Sequence, residues 1–224
     1  MLSVTEACNL DCAVCYEKSK TPKTMDLETA KASLTYEFEN SEGFDEIEID
    51  LFGGEPTLRQ DFIKEIVEWT IQSKFKKPFI FFIQTNGTLI HGEFQDWLVR
   101  HKSFVNVGLS LDGTPETHNS NRSDSYDKID IGFFVRNYPH QGVRMTICPK
   151  TASNLFNDVV HLHGLGFQKV DAFFAYGVKW NSEGMDDVLA TQLRLLCDYY
   201  LLHPEVKECS VFDMSISNLT NSCA

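Results

Sequence analysis

The sequence predicts an α/β protein built on parallel strands. Short apolar stretches alternate with amphipathic ones in strict order, and glycine-containing polar turns fall where the strand-like stretches stop. The chain is also long enough, at 224 residues with 42% hydrophobic, to bury a substantial core in one or two domains. Six strand–helix units in sequence fit an open doubly wound sheet or a barrel, complete or partial. In either case functional loops follow the carboxyl ends of the strands.

The elements run as follows. LSVT (residues 2–5) reads as a short strand, and Leu27, Ala30, Leu34 and Phe38 then recur at helical spacing. EIEIDLF (46–52) alternates as a strand does, and Phe62, Ile63, Ile66, Val67 and Ile71 return to helical spacing. Strand FIFFI (79–83) precedes a helix carrying Phe94, Trp97 and Leu98; strand VNVGLSL (105–111) precedes a helix near 129–138. Strand VRMTIC (143–148), a helix over 155–162, strand VDAFFA (170–175) and a helix over 188–202 complete the series. Glycines in HGLGF and NYPHQG are expected to end helices. The regular rhythm stops near Pro204, so residues 1–204 form the expected core, and 205–224 a linker or the truncated start of a cysteine-containing extension.

Charge and cysteine usage narrow the function. The formal charge is −12, from 32 acidic and 20 basic residues; such a surface repels phosphate backbones, and no local basic patch stands out, so nucleic-acid binding is disfavoured. No apolar run is long enough to span a membrane, and the first residues do not read as a secretory signal. Seven cysteines without a disulfide framework fit a cytoplasmic, reducing setting, where clustered thiols bind metal or do redox chemistry.

Cys8, Cys12 and Cys15 lie on one loop after the first strand, in CNLDCAVCYE. Thiolates suit zinc and iron–sulfur clusters alike. Structural zinc wants a fourth ligand, which the loop does not offer nearby, whereas a four-iron cluster held by three thiolates keeps one iron open. Polar motifs follow the next strands in turn: GGEPT (53–57), QTNGT (84–88) and SLDG (110–113). In GGEP, Gly53 and Gly54 permit close backbone approach to a ligand, and Glu55 offers a carboxylate for an ammonium group. On the fourth strand Gly108, Ser110 and Asp112 share a parity, placing a hydroxyl and a carboxylate where a ribose could meet them. The Arg122 guanidinium matches a ligand carboxylate. Taken singly, these residues read as an ordinary glycine turn and a solvated arginine. Cys148 shares parity with Arg144 and Thr146 and reads as a buried small hydrophobe, as does Cys197 beside Leu193 and Tyr200. His161 and His163 fall on different helix faces and read as packing or surface residues, and Cys209 and Cys223 as isolated thiols.

The cysteine spacing, the following Tyr16, and the ordered GGEP, TNGT, SLDG and HNSNR (118–122) together resemble the radical S-adenosylmethionine (radical SAM) enzymes, over roughly residues 1–200. SLDG and HNSNR are most similar to the SPASM and twitch-type branch, which includes peptide and anaerobic sulfatase maturases. The resemblance implies a partial (β/α)6 barrel of the TIM type. It further implies that Cys8, Cys12 and Cys15 hold a [4Fe-4S] cluster and that S-adenosylmethionine binds its open iron. Gly54 and Glu55 would then contact the methionine amino group, Ser110 the ribose and Arg122 the carboxylate, with Gly53 and Asp112 also at the cofactor. Gln84, Thr85 and Asn86 would line the substrate side. Val14 departs from the aromatic that often precedes the third cysteine. By resemblance the reaction is hydrogen abstraction from a peptide or protein, with a flavodoxin- or ferredoxin-like electron donor. Two alternatives stay open: a small-molecule or nucleotide-precursor substrate, and a noncatalytic metal or iron–sulfur module.

Overall fold

A computed structural model describes residues 1–17 and 19–212. In chain order its elements are β1 (Leu2–Thr5), α1 (Leu27–Glu39), β2 (Ile47–Gly53), α2 (Gln60–Gln72), β3 (Phe79–Thr85), α3 (Glu93–Arg100) and β4 (Val105–Leu109). They continue with α4 (Pro115–Asn121), α5 (Ile131–Asn137), β5 (Val143–Ile147), α6 (Leu155–Gly164), β6 (Val170–Phe174) and α7 (Met185–Leu202). Two compact units result. One comprises Met1–Asp11, Glu17–Leu109 and Asp127–Tyr138; the other comprises Cys12–Tyr16, Ser110–Tyr126 and the described residues from Pro139.

In the first unit β1, β2, β3 and β4 lie side by side, all parallel, as the alternation of strands and helices requires. Val4, Leu51, Phe81, Ile83, Val105 and Val107 share the buried face. The helices close over it with stripes set by the 3.6-residue period: in α2 these are Phe62, Ile63, Ile66, Val67 and Thr70. Each such apolar side chain contributes about 1.5–3 kcal/mol of burial. Asp26 caps α1 by accepting from the Thr29 amide at 2.8 Å, a contact that holds its carboxyl below the usual range. The outer edge of β1 is covered by residues 23–25, through Glu6 N to Lys23 O and Met25 N to Val4 O, both 3.0 Å.

The second unit holds the parallel pair β5–β6, flanked by α6 and α7. The fourth strand was expected to reach Leu111, yet β4 stops at Leu109. Ser110 forms a parallel bridge to Arg144 and Leu111 N donates to Arg144 O at 2.9 Å, so these two residues pair with β5. A helix that the apolar periodicity did not reveal, α4, occupies Pro115–Asn121, because its sequence PETHNSN has no apolar stripe to read. The helix expected over 129–138 is shorter, and Gly142 does not end it. Tyr138 N returns to Phe134 O and Pro139 follows. Gly142 instead opens β5 against Asp171, whose Oδ2 would lie 2.0 Å from any added Cβ. Cys197 is exposed, one position round α7 from the buried Leu196, and is not core. Cys209 is fully buried, its amide donating to Tyr200 Oη at 2.9 Å. Ser210 donates to Ala172 O and accepts from Ala172 N. Cys223 lies outside the described residues.

Candidate functional site

At the carboxyl ends of β1, β2 and β3 the first unit builds a clamp around the start of the cysteine loop. Gly53, at φ +141°, and Gly54 are required by close backbone approach. An added Cβ at residue 53 would lie 2.1 Å from Thr5 O, and at residue 54 2.3 Å from Ala7 O. Gly54 N donates to Thr5 O and Glu55 N to Ala7 O, both at 2.8 Å. The glycines expected to admit a ligand therefore admit the strand that leads into Cys8.

Glu55 is 1% exposed and its carboxylate is taken up inside the unit. Oε1 accepts from Thr57 N at 3.1 Å, Thr57 Oγ1 at 2.5 Å and Thr85 Oγ1 at 2.7 Å, and Oε2 accepts from Asn86 N at 2.8 Å. Burial raises its pKa, and these four donors pull the other way without reversing it. Asn86 and Thr88 carry the chain of contacts onward. Asn86 Nδ2 donates to Asn9 Oδ1 at 2.9 Å, and Asn9 Nδ2 donates to Thr88 Oγ1 at 2.8 Å. Thr85 and Asn86, expected beside a substrate, are buried; Asn86 holds the cysteine loop through Asn9, and Thr85 donates to Glu55. Gln84 is half-buried on the other strand face, its Oε1 beside Gly108. Lys20 donates to Leu10 O at 2.6 Å and pairs with Asp11, and Leu10 N donates to Cys8 Sγ at 3.5 Å.

The second unit builds its own cluster around Asp112, which is fully buried. Its Oδ1 accepts from Thr146 N at 2.8 Å and Arg122 Nη2 at 2.9 Å, and Oδ2 from Arg122 Nε at 2.8 Å and Asn121 Nδ2 at 3.2 Å. His118, Asn121 and Arg122, spaced i, i+3 and i+4 from α4 into its C-cap, therefore converge on Asp112, Asn121 and Arg122 at its carboxylate and His118 at its backbone amide. Asp112 N donates to His118 Nδ1 at 3.2 Å, which puts the ring proton on Nε2, facing Ser125 Oγ at 2.9 Å. Burial brings the His118 pKa down to about 4, with Asp112 opposing and Arg122 assisting.

Burial works against the Arg122 charge, but Asp112 outweighs it and Cys12 and Cys148 add to the support, so the guanidinium pKa is raised. Cys148, buried at the end of β5, has its pKa pushed up to about 11 by burial and by Asp112. Asn121 also reaches the cysteine loop, because its carbonyl accepts from Ala13 N at 2.8 Å, and Cys15 N closes a turn on Cys12 O at 3.2 Å. Ser110 is half-buried at its bridge to Arg144. Among the described residues no group of three or more His, Cys, Asp or Glu side chains is gathered tightly enough to hold a metal ion. The donor set itself, three half-buried cysteines on one loop with no disulfide among them, is chemically suited to an iron–sulfur cluster. The sequence motifs had pointed to Arg122 and Asp112 separately. Asn9, Thr88, His118 and Asn121 went unassigned, and the only signal for them was membership of the same short polar runs.

Fold and site define a parallel α/β protein whose first strand opens into a three-cysteine loop clamped by glycine and amide turns. The chain belongs to the radical SAM superfamily, whose family model matches residues 2–131. It is 34% identical over 113 residues to the uncharacterized protein MJ0907 of Methanocaldococcus jannaschii, covering 50% of this chain and 38% of that protein. It is 42% identical over 74 residues to the cysteine-type anaerobic sulfatase-maturating enzyme of Clostridium perfringens, covering 32% and 20%. To the antilisterial bacteriocin subtilosin biosynthesis protein AlbA of Bacillus subtilis it is 33% identical over 146 residues, covering 59% and 31%. The matches thus span well under half the length of these relatives. Among solved structures, native anSMEcpe with bound AdoMet and Kp18Cys peptide matches with TM-score 0.78 at 22% identity, covering 94% of this chain and 62% of that one. Streptococcus suis SuiB bound to precursor peptide SuiA matches with TM-score 0.67 at 16% identity, covering 92% and 47%. These likenesses show the fold, the α/β radical SAM fold expected from the sequence.

Proposed function

We propose that the chain is a radical SAM enzyme acting on a peptide or protein. Three features support the reading: membership of the superfamily, maturases among its relatives, and a cysteine loop braced from several sides. When bound, a [4Fe-4S] cluster and S-adenosylmethionine supply a 5′-deoxyadenosyl radical that takes a hydrogen atom from substrate. The protein's part is to hold and orient. Cys8, Cys12 and Cys15 are the proposed cluster ligands. The Gly53–Gly54–Glu55 turn is proposed to offer its backbone to the methionine amino group of S-adenosylmethionine, while the Glu55 side chain braces Asn86 and, through it, Asn9.

Arg122 spends Nε and Nη2 on Asp112, which fixes the plane of the guanidinium. Among the described residues Nη1 meets no acceptor, and it is the atom proposed for the methionine carboxylate. Ser110 is proposed for the ribose; Asp112, enclosed by four donors, acts through Arg122. Gln84 is proposed to face substrate, and a flavodoxin- or ferredoxin-like protein to deliver the electron. The carrying observation is the grip on the start of the cysteine loop within the first unit, where Asn9 is held by Asn86 and Thr88. Anaerobic reconstitution with iron and sulfide, followed by an assay for reductive cleavage of S-adenosylmethionine, tests it. Cluster uptake with formation of 5′-deoxyadenosine is the expected result, and a chain that takes up no iron refutes the reading.

A further inference from the structure

The first unit carries a second feature at the opposite, amino ends of β2 and β3. A cavity of about 550 Å³ opens there between the end of α1, the end of α2 and the residues leading into both strands. Its apolar part is aromatic. Phe38 and Phe75 stack face to face with centroids 3.9 Å apart, Phe79 meets Phe38 edge-on at 5.6 Å, and Trp69 meets Phe75 at 5.9 Å. Phe44, also lining the cavity, is left 69% exposed. A large ring left open beside a stacked aromatic pair marks a place where apolar contact is unfinished.

Three lysines stand at the same cavity. Lys74, Lys76 and Lys77 fall within four positions, in a stretch with no acidic residue between Glu68 and Glu93. Among the described residues none of the three forms an ion pair. Lys77 donates to Ser41 O, which ties the residues after α1 to those before β3. Lys74 adopts φ +51°, a left-handed conformation in which glycine is usual after a helix. In a chain of net charge −12, an acidic ligand is repelled by most of the surface and finds local attraction here. Glu39 and Asp45 also line the cavity, so the attraction is one-sided and favours a ligand whose charge lies to one side of an apolar anchor.

We infer that this cavity is a docking site for an acidic peptide segment that inserts one aromatic or large aliphatic side chain against Phe38, Phe44 and Phe75 and sets its carboxylates against Lys74 and Lys76. Resting on the peptide-substrate reading, the segment is a recognition stretch of the substrate, separate from the residue that is modified. The cavity has the size of a small-ligand pocket, enough for one anchoring ring and its neighbours.

The test is fluorescence anisotropy with the whole chain and three fluorescein-labelled nonapeptides. The first has a central phenylalanine flanked by glutamates, the second the same phenylalanine flanked by lysines, and the third serine in place of the phenylalanine. The expected result is that the glutamate peptide alone binds and that raising the salt weakens it. The Lys74→Glu/Lys76→Glu double variant and Phe44→Ser should each lower affinity at least tenfold, with circular dichroism unchanged. Equal binding by the double variant overturns the inference. So does tight binding of the lysine peptide, or light scattering that shows a dimer abolished by Phe44→Ser, since a second copy would then be the occupant. Cleavage of S-adenosylmethionine is measured alongside. Cleavage without peptide binding overturns the docking site alone, and peptide binding without cluster uptake overturns the enzyme reading alone.

Discussion

Asp158 on α6 shows how a side chain without a role in the sequence motifs can govern them. It is fully buried; Oδ1 accepts from Thr114 N, Thr114 Oγ1 and Asn154 Nδ2, each at 2.9 Å, and Oδ2 meets no hydrogen-bond partner among the described residues. Its Cβ sits 2.2 Å from where a Cβ on Gly113 would be, so the glycine of SLDG is there to seat this carboxyl. Burial pushes its pKa up to about 6, against an ordinary 3.8. Between these values the folded chain keeps a proton that the unfolded chain has released, so stability falls as pH rises from about 4 to 6, by on the order of 2–3 kcal/mol. His118 runs the other way. With its pKa down to about 4, the unfolded chain binds the extra proton between about 4 and 6.5, and stability rises with pH there. Asp158→Asn keeps the Oδ1 acceptor and removes the ionisable group. Urea unfolding should then find the variant more stable than the parent at pH 8, with the gap closing toward pH 4 and the rising His118 slope laid bare. A parent that is more stable than the variant at pH 8 contradicts this account. The Asp112–Arg122 pair gives a second test at this scale. Arg122→Leu leaves a buried carboxylate without its bidentate partner and should cost about 3 kcal/mol in the same assay. Both residues of that pair are visible in the sequence, Asp112 by its parity at a strand end and Arg122 as a guanidinium suited to a carboxylate. Their mutual contact is not, because strand parity says which face a side chain takes and not which partner it finds there.

At the scale of elements, the turns after β2 and β3 exist to hold the loop after β1. Asn9→Ala removes both amide contacts, the one its Oδ1 accepts from Asn86 Nδ2 and the one its Nδ2 donates to Thr88 Oγ1, from a loop that is half-buried and also tied through Lys20 and Cys8. The expected cost to global stability is about 1 kcal/mol, while iron incorporated on reconstitution falls severalfold, measured as iron per chain. Unchanged iron content would show that the clamp is structural only. Gly53→Ala is the harsher change: at φ +141° with Thr5 O in the way, it should prevent β1 from docking and leave little soluble protein on expression. The elements that carry an apolar stripe were legible, β1 and α1 among them, because periodicity reports burial. The polar α4 was not. Its signals were local ones, Thr114 as N-cap with Pro115 at the first helical position, and they are outweighed in a search for apolar spacing. Glu55 is legible as a carboxylate in a glycine turn, but its four internal donors are not, since Thr57, Thr85 and Asn86 come to it through the fold and not through the motif alone.

For the molecule as a whole, alternating strands and helices announced a parallel α/β fold, but not that hydrogen bonding would divide into a four-stranded and a two-stranded sheet. That division falls where β4 ends at Leu109 and the next two residues, Ser110 and Leu111, pair with Arg144. It has a measurable consequence. β3 lies between two parallel neighbours, whereas β6 pairs on one side with β5 and on the other meets Ser210, whose hydroxyl takes both the N–H and the C=O of Ala172. A two-stranded pair depends on what packs over it, and a side-chain hydroxyl is a weaker edge than a ladder. In hydrogen–deuterium exchange, amides of β3 should therefore exchange only with global unfolding, and those of β6 should exchange by smaller openings, faster by one to two orders of magnitude. Ser210→Ala should quicken exchange at Ala172 and leave β3 unaffected. Equal protection of β3 and β6, or a Ser210→Ala effect spread evenly over both sheets, would mean that the two sheets open as one cooperative body.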